Sequence, residues 1–300
     1  MRLWGRGRRR WIVVAAVVGF IQLGWGTQLP TISPAELVRK IVQNEVRASE
    51  GPSAAHMFVS RKEGTHGSQT RLYCETKDAM AGMAIAYDGK PLTPEQRQAE
   101  EARLEQLMKD PEELRKKRER EKQDADRATR IVRAMPEAFL YEYDGTEPSK
   151  PGMGQEGDDL VRVRFRPNPK YDPPSRTEQV LEGMQGYMLI DTNKQRIARI
   201  DGTLYKEVGF GWGILGHLDK GGHFLVEQGD VGDGTWDMLK MSLAFSGRIL
   251  LFKHFDMKSN ETLSDFRPVP KALTFAQGVD LIKKQESVLA QNGHGSASPK

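Results

Sequence analysis

Apolar and polar positions alternate with a period of two through much of the second half of the chain. Val208, Phe210, Trp212 and Ile214 alternate with Gly209, Gly211 and Gly213. Leu239, Met241, Leu243 and Phe245 alternate with Lys240, Ser242 and Ala244. That period puts each set on one face of a strand. Tyr187 to Asp191 and Arg196 to Asp201 are predicted to pair across Thr192-Asn193-Lys194-Gln195. Further strands are predicted near 204–214, 222–229, 235–245, 248–257 and 261–267, with turns at Asp233-Gly234 and Ser246-Gly247. Regular strands between polar turns predict a sheet or an open barrel, and a curved sheet makes a cavity. The stretch from Gly186 to Pro268 holds almost nothing that looks catalytic, so a binding protein is expected before an enzyme.

The first half mixes periods. Ser33-Pro34-Ala35-Glu36 reads as a helix start, and Leu37, Val38, Ile41, Val42 and Val46 follow at helical spacing over 34–49. The apolar stripe should pack on a sheet. Strands are expected at 56–62, 69–76 and 79–87, the last ending in an Asp88-Gly89 turn. Thr93-Pro94-Glu95-Gln96 caps a second helical region, which Asp110-Pro111 breaks and restarts. Ala99, Leu104, Leu107 and Met108 give this region a modest apolar face. Arg115 to Gln123 contains no apolar residue and reads as a charged, solvated helical arm. Ala125, Ala128, Ile131, Val132 and Met135 restore an apolar face, so residues 94–134 read as a charged helical insertion. Phe139 to Tyr143 is a strand ending at Asp144-Gly145. In the next strand Val161, Val163 and Phe165 alternate with Arg162, Arg164 and Arg166, giving one buried and one cationic face. The prolines from Pro167 to Pro174 make a rigid loop. A closing helix runs from Thr274 to about Leu289, and 291–300 is expected to be a disordered tail. Residues 34–290 form one domain.

The N-terminus changes how the charge is read. Arg2, Arg6, Arg8, Arg9 and Arg10 precede an apolar run from Trp11 to about Leu23. This is a signal-peptide pattern, short for a membrane span, but Gly24-Trp25-Gly26-Thr27 is a poor cleavage site. Residues 1–26 are therefore a signal peptide or an uncleaved signal anchor. The expected location is the periplasm or cell envelope. The whole chain has a net charge of +4, from 45 Lys and Arg against 41 Asp and Glu. Without the five leader arginines, 40 basic residues face 41 acidic ones, a net charge of −1. A near-neutral domain lacks the electrostatic footprint of a nucleic-acid binder.

Candidate chemistry is sparse. Cys74 is the only cysteine, so no internal disulfide can form, and it reads as a buried structural thiol with no base beside it. Gly211-Trp212-Gly213-Ile214-Leu215-Gly216 matches a dinucleotide-binding pattern by letter. Two further glycines, Gly221 and Gly222, stand where its helix should run, so a bent strand or close approach to a ligand is the better reading. His217, Asp219 and His223 could hold a metal, although turn residues explain them as well. Asp230, Asp233 and Asp237 miss the calcium-loop pattern. Asn260-Glu261-Thr262 is a formal glycosylation sequon.

Gly186-Tyr187-Met188-Leu189-Ile190-Asp191 followed by Ile197-Ala198-Arg199-Ile200-Asp201-Gly202 resembles the core hairpin of the periplasmic lipoprotein carriers, the LolA/LolB/LppX-like superfamily. The resemblance is one of pattern, covering mainly 160–268 and extending to 34–90. It implies an incomplete antiparallel barrel of about eleven strands with helices over its mouth. It also implies an apolar cavity that shields acyl chains, with no catalytic residues. The charged insertion at 94–134 departs from that pattern.

The expected fold is thus α+β, an incomplete antiparallel β-barrel covered by helices, with a charged helical insertion. The expected function is a non-catalytic carrier of a lipid, a lipoprotein acyl chain or another apolar ligand. Met184, Met188, Phe210, Trp212, Ile214, Trp236 and Met241 are the expected cavity residues. No cofactor, metal or nucleic acid is expected, and the chain should be a monomer. The alternative is an envelope sensory or structural protein whose arm at 94–134 binds a protein partner.

Overall fold

The computed structural model describes residues 29–51, 54–210, 216–232, 234–249 and 253–295. The chain is α+β. Helix α1 (Pro34–Glu50) leads into strands β1 (Ala55–Gly64), β2 (Gly67–Cys74), β3 (Ala81–Tyr87) and β4 (Lys90–Pro91). Helices α2 (Pro94–Lys109) and α3 (Pro111–Ala138) precede β5 (Phe139–Pro148) and β6 (Asp159–Pro167). A short helix, α4 (Arg176–Gln179), and a tight turn lead to β7 (Met184–Asp191) and β8 (Arg196–Leu204). The remaining strands are β9 (Val208–Phe210), β10 (Gly216–Leu218), β11 (His223–Gly232), β12 (Thr235–Ile249) and β13 (Lys253–Val269), closed by helix α5 (Phe275–Gly295).

All the strands belong to one antiparallel sheet, in the order β4-β3-β2-β1-β13-β12-β11-β8-β7-β6-β5, with β9 and β10 as a side branch on β12. Two meanders, β1 to β4 and β5 to β13, are joined where β1 pairs with β13, from Ala55 opposite Val269 to Gly64 opposite Ser259. The end strands β4 and β5 do not pair, so the sheet does not close into a barrel. Helices α2 and α3 form the connection between those two edges.

Local chemistry accounts for many of the boundaries. Ser33 Oγ accepts the Glu36 N–H, Pro34 takes the first turn, and Leu37, Val38, Ile41 and Val42 form the buried stripe of α1. Asp110 ends α2 and starts α3, its carboxylate accepting the Glu112 and Glu113 N–H groups. Asp88 and Gly89 adopt φ of 49° and 73°, the left-handed pair that a two-residue hairpin requires. Asp191 is fully buried at the β7–β8 turn, where it accepts the N–H groups of Lys194 and Gln155.

Two packed regions lie on opposite faces of the sheet. On one face, the α1 stripe and Met135 and Ala138 of α3 pack on Phe139, Val163, Phe165, Met188 and Ile190. On the other, Phe275, Val279 and Ile282 of α5 and Leu104 of α2 pack on Met57, Leu72, Cys74 and Met83. Cys74 is fully buried there, and burial pushes its thiol up to about 11.

The segment at 94–134 lies against the body through its expected apolar face: Leu104 is fully buried, Leu107, Met108 and Leu114 pack on the α5 cluster, and Glu121 accepts the Met80 N–H. Most of residues 115–123 is exposed helix, as expected. Its charges are satisfied largely within α3, as in Glu112–Arg115–Glu119 and Lys122–Asp126. Several expectations are corrected. Strand β5 does not end at Asp144-Gly145. Gly145, at φ 90°, makes a bulge there, and pairing resumes at Thr146. Ser246-Gly247 is no turn but the interior of β12, with Gly247 opposite Phe255. The three strands expected over 235–267 are two long ones. The expected strand at 204–214 is divided among the end of β8, β9 and, beyond it, β10, which pairs antiparallel to β9 with Phe210 opposite Gly216. Helix α5 continues to Gly295, past the expected start of the tail.

Candidate ligand-binding face

Strand register carries the α1 face across the sheet. Val163 lies opposite Met188, Met188 opposite Ile200, Ile200 opposite Val226 and Val226 opposite Met241. The row then turns polar, with Met241 opposite Glu261 and Glu261 opposite Lys62. A parallel row runs Phe165, Gly186, Gly202, Phe224, Leu243 and Ser259. Beneath α1 these rows are fully packed. Past β8 they open: Phe224, Val226, Met241, Leu243 and Phe245 are half-buried, and Met257, opposite Phe245, is 41% exposed. Val226, Met241, Leu243 and Met257 join none of the three packed clusters among the described residues.

Aromatic rings lie down on this face because glycines make room for them. A Cβ on Gly202 would stand 2.4 Å from the Phe224 ring, and one on Gly222 would stand 2.4 Å from Phe245. Each ring therefore covers a neighbouring strand's backbone instead of standing off the sheet. The result is a low, broad apolar surface running from the edge of α1 toward β13.

The surface ends in polar groups. A cleft of about 650 Å³ opens between the last turns of α1 and the starts of β8 and β12, lined by Glu45, Glu75, Arg196, Trp236 and Asp237 among others. Glu45 grips Arg196 through two bonds of 3.0 and 2.9 Å and also accepts the Ile197 N–H. Glu75 accepts the His56 N–H at 2.8 Å. His56 is 2% exposed, and its Nε2 has no hydrogen-bond partner among the described residues. Burial lifts the Glu75 carboxyl above its ordinary range; the His56 N–H pulls it back, and Asp237 adds to the rise. Asp237 is raised by burial too, against the Met238 N–H and nearby His56 and Arg196.

The opposite face of β6 to β11 carries polar groups beside a small apolar cluster that includes Leu160 and Leu189. Arg162 stacks 3.8 Å from the centre of the Tyr187 ring. With Arg164, Arg166 and Gln185 these residues line a cleft of about 620 Å³. The arginine row is largely neutralised, Arg162 by Asp144 and Glu147 and Arg164 by Asp144. Asp201 binds Arg199 and His223 at 2.7 and 2.9 Å. Burial opposes its charge, but those two hydrogen bonds prevail and its pKa is lowered.

The expected cavity residues part company. Met184 and Met188 lie in the packed core beneath α1, at 8% and 0% exposure. Met241 lies on the open part of the same face. Trp236 packs on a third cluster of Met153, Leu160, Leu189 and Ala198, and its indole N–H donates to the Ile197 carbonyl. Phe210 lies in β9, opposite Gly216. Trp212 and Ile214 fall outside the described residues, as does the leader at 1–26. His217 and Asp219 do meet, but with Glu207; His223 goes to Asp201. Leu243 and Phe245 alternate with Ser242, Ala244 and Ser246 in β12, a signal available in the sequence, whereas Phe224 sits in the unbroken apolar run Phe224-Leu225-Val226 and has no such signal. The meeting of His56, Glu75 and Asp237 depends on β1–β13 pairing and has no local signature.

No protein-family model matches this chain, and no curated protein matches it. Among the described residues no helix is long and apolar enough to cross a membrane.

Proposed function

We propose that this protein is a non-catalytic carrier that holds an acyl chain on the α1 face of its sheet. The half-exposed apolar surface of Phe224, Val226, Met241, Leu243 and Phe245 carries the reading. An open antiparallel sheet with helices on its faces is the architecture that a lipoprotein-carrier-like half-barrel would have, and the helices beside the surface would form its rim. Apolar burial contributes about 0.8 kcal/mol per methylene. About ten methylenes on this face would gain about 8 kcal/mol before ordering costs. The methionine and leucine side chains adapt to chains of different length. An anionic head would meet Lys62, which stands opposite Glu261 where the apolar row ends.

Titration with a fluorescent fatty acid tests this directly. The wild type should bind saturably, and Leu243→Asp should weaken binding by about tenfold or more, equivalent to about 1.4 kcal/mol. Ser242→Asp, on the opposite face of the same strand, should leave it intact. Absence of saturable binding by the wild type, or undiminished binding by Leu243→Asp, would contradict the reading.

A further inference from the structure

We infer that Glu207, His217 and Asp219 form a binding site for a divalent transition metal, best suited to Zn²⁺. His217 lies in β10 and Asp219 just past its end, and their side chains meet. Glu207 stands immediately before β9, the partner of β10. One ligand atom from each residue falls within 4.8 Å of the others. His217 Nε2 lies 3.2 Å from Asp219 Oδ1 and 4.0 Å from Glu207 Oε2.

These distances suit a tetrahedral ion. Metal–ligand bonds of about 2.0–2.1 Å put neighbouring ligands about 3.3 Å apart. The His217–Asp219 pair is already at that separation. The Glu207 side chain is 63% exposed, so it can close the remaining gap without disturbing the core. Asp219 is held in place: its second oxygen accepts the Ser246 hydroxyl at 2.7 Å, and its N–H donates to the Ser246 carbonyl at 2.9 Å. An outer hydrogen bond to a ligating carboxylate is the support that metal sites use. One imidazole and two carboxylates favour zinc or manganese over the all-oxygen sites of calcium and magnesium. Three protein ligands leave a fourth position for water. The ion would tie the β9 end of the branch to β10, and through Asp219 and Ser246 to β12.

The test is calorimetric titration of the metal-stripped full chain with zinc chloride and with manganese chloride. The wild type should bind one ion, and His217→Ala should abolish that binding. Glu207→Gln should weaken it, and Ser246→Ala should weaken it by about tenfold or more through loss of the outer hydrogen bond. His223→Ala should bind as the wild type does, because His223 is engaged with Asp201. Equal thermal stability of His217→Ala and wild type in chelator would show that the variant is folded. Absence of binding by the wild type, or wild-type affinity in His217→Ala, would overturn the assignment.

Discussion

Phe224 lies on Gly202 and Phe245 on Gly222, and these contacts shape the apolar surface more than the residues first expected to line it. Alternation in the sequence separates the faces of β6, where Val163 and Phe165 are buried between arginines, but not those of fully buried Met188 and Leu189, neighbours in one apolar run that enter different clusters. It cannot say which part of a face a helix covers, because that depends on how far α1 reaches across the sheet. The polar end has a residue-scale consequence. Glu75 and Asp237 are both raised by burial, so the folded state holds their protons more tightly than the unfolded chain does. Their effect is a stability that falls as pH rises from the ordinary carboxylate range through the raised values. Asp201 works in the opposite direction, its stabilisation being present above the ordinary range and lost as pH falls. Glu75→Gln with Asp237→Asn should isolate the first effect. In urea unfolding between about pH 4 and 7, the double variant should gain on the wild type as pH rises. A stability difference that does not change with pH would contradict this.

At the scale of elements, α1 is placed by polar contacts as well as by its stripe. Glu45 binds Arg196 and the Ile197 N–H, and Asn44 donates to Gln195 at 2.9 Å. Both partners of the ion pair are largely buried, at 11% and 20% side-chain exposure. Removing one leaves the other's charge unpaired, so Glu45→Ala should destabilise the fold by about 3 kcal/mol in urea denaturation. A loss below about 0.5 kcal/mol, the range of ordinary surface substitutions, would show that the stripe alone holds α1. Elements with local signals were legible in the sequence: the capped starts of α1 and α2, the Asp110 break, the Asp88-Gly89 turn and the β7–β8 hairpin. Those misread depend on partners distant in sequence. Gly247 looks like a turn until Phe255 lies over it, and Gly145 looks like a strand end until β6 continues past the bulge.

Over the whole molecule, one open sheet joins two meanders through β1 and β13, and α2 and α3 bridge its free edges. That arrangement explains how a chain segment so rich in charge belongs to the folded body. Its inner residues Leu104 and Met135 are core, while its outer charges pair along the helix. Excising 94–134 would therefore open the α5 cluster. The apolar surface lies on the α1 face, past the edge of that helix, and its occupancy is the central claim. The measurement that tests it most directly is native mass spectrometry of the full chain purified from its native source, with organic extraction of anything bound. A mass above that of the bare chain, with extraction yielding a fatty acid, phospholipid or acylated peptide, is the predicted result. A bare mass that does not shift on adding fatty acids or phospholipid would contradict it.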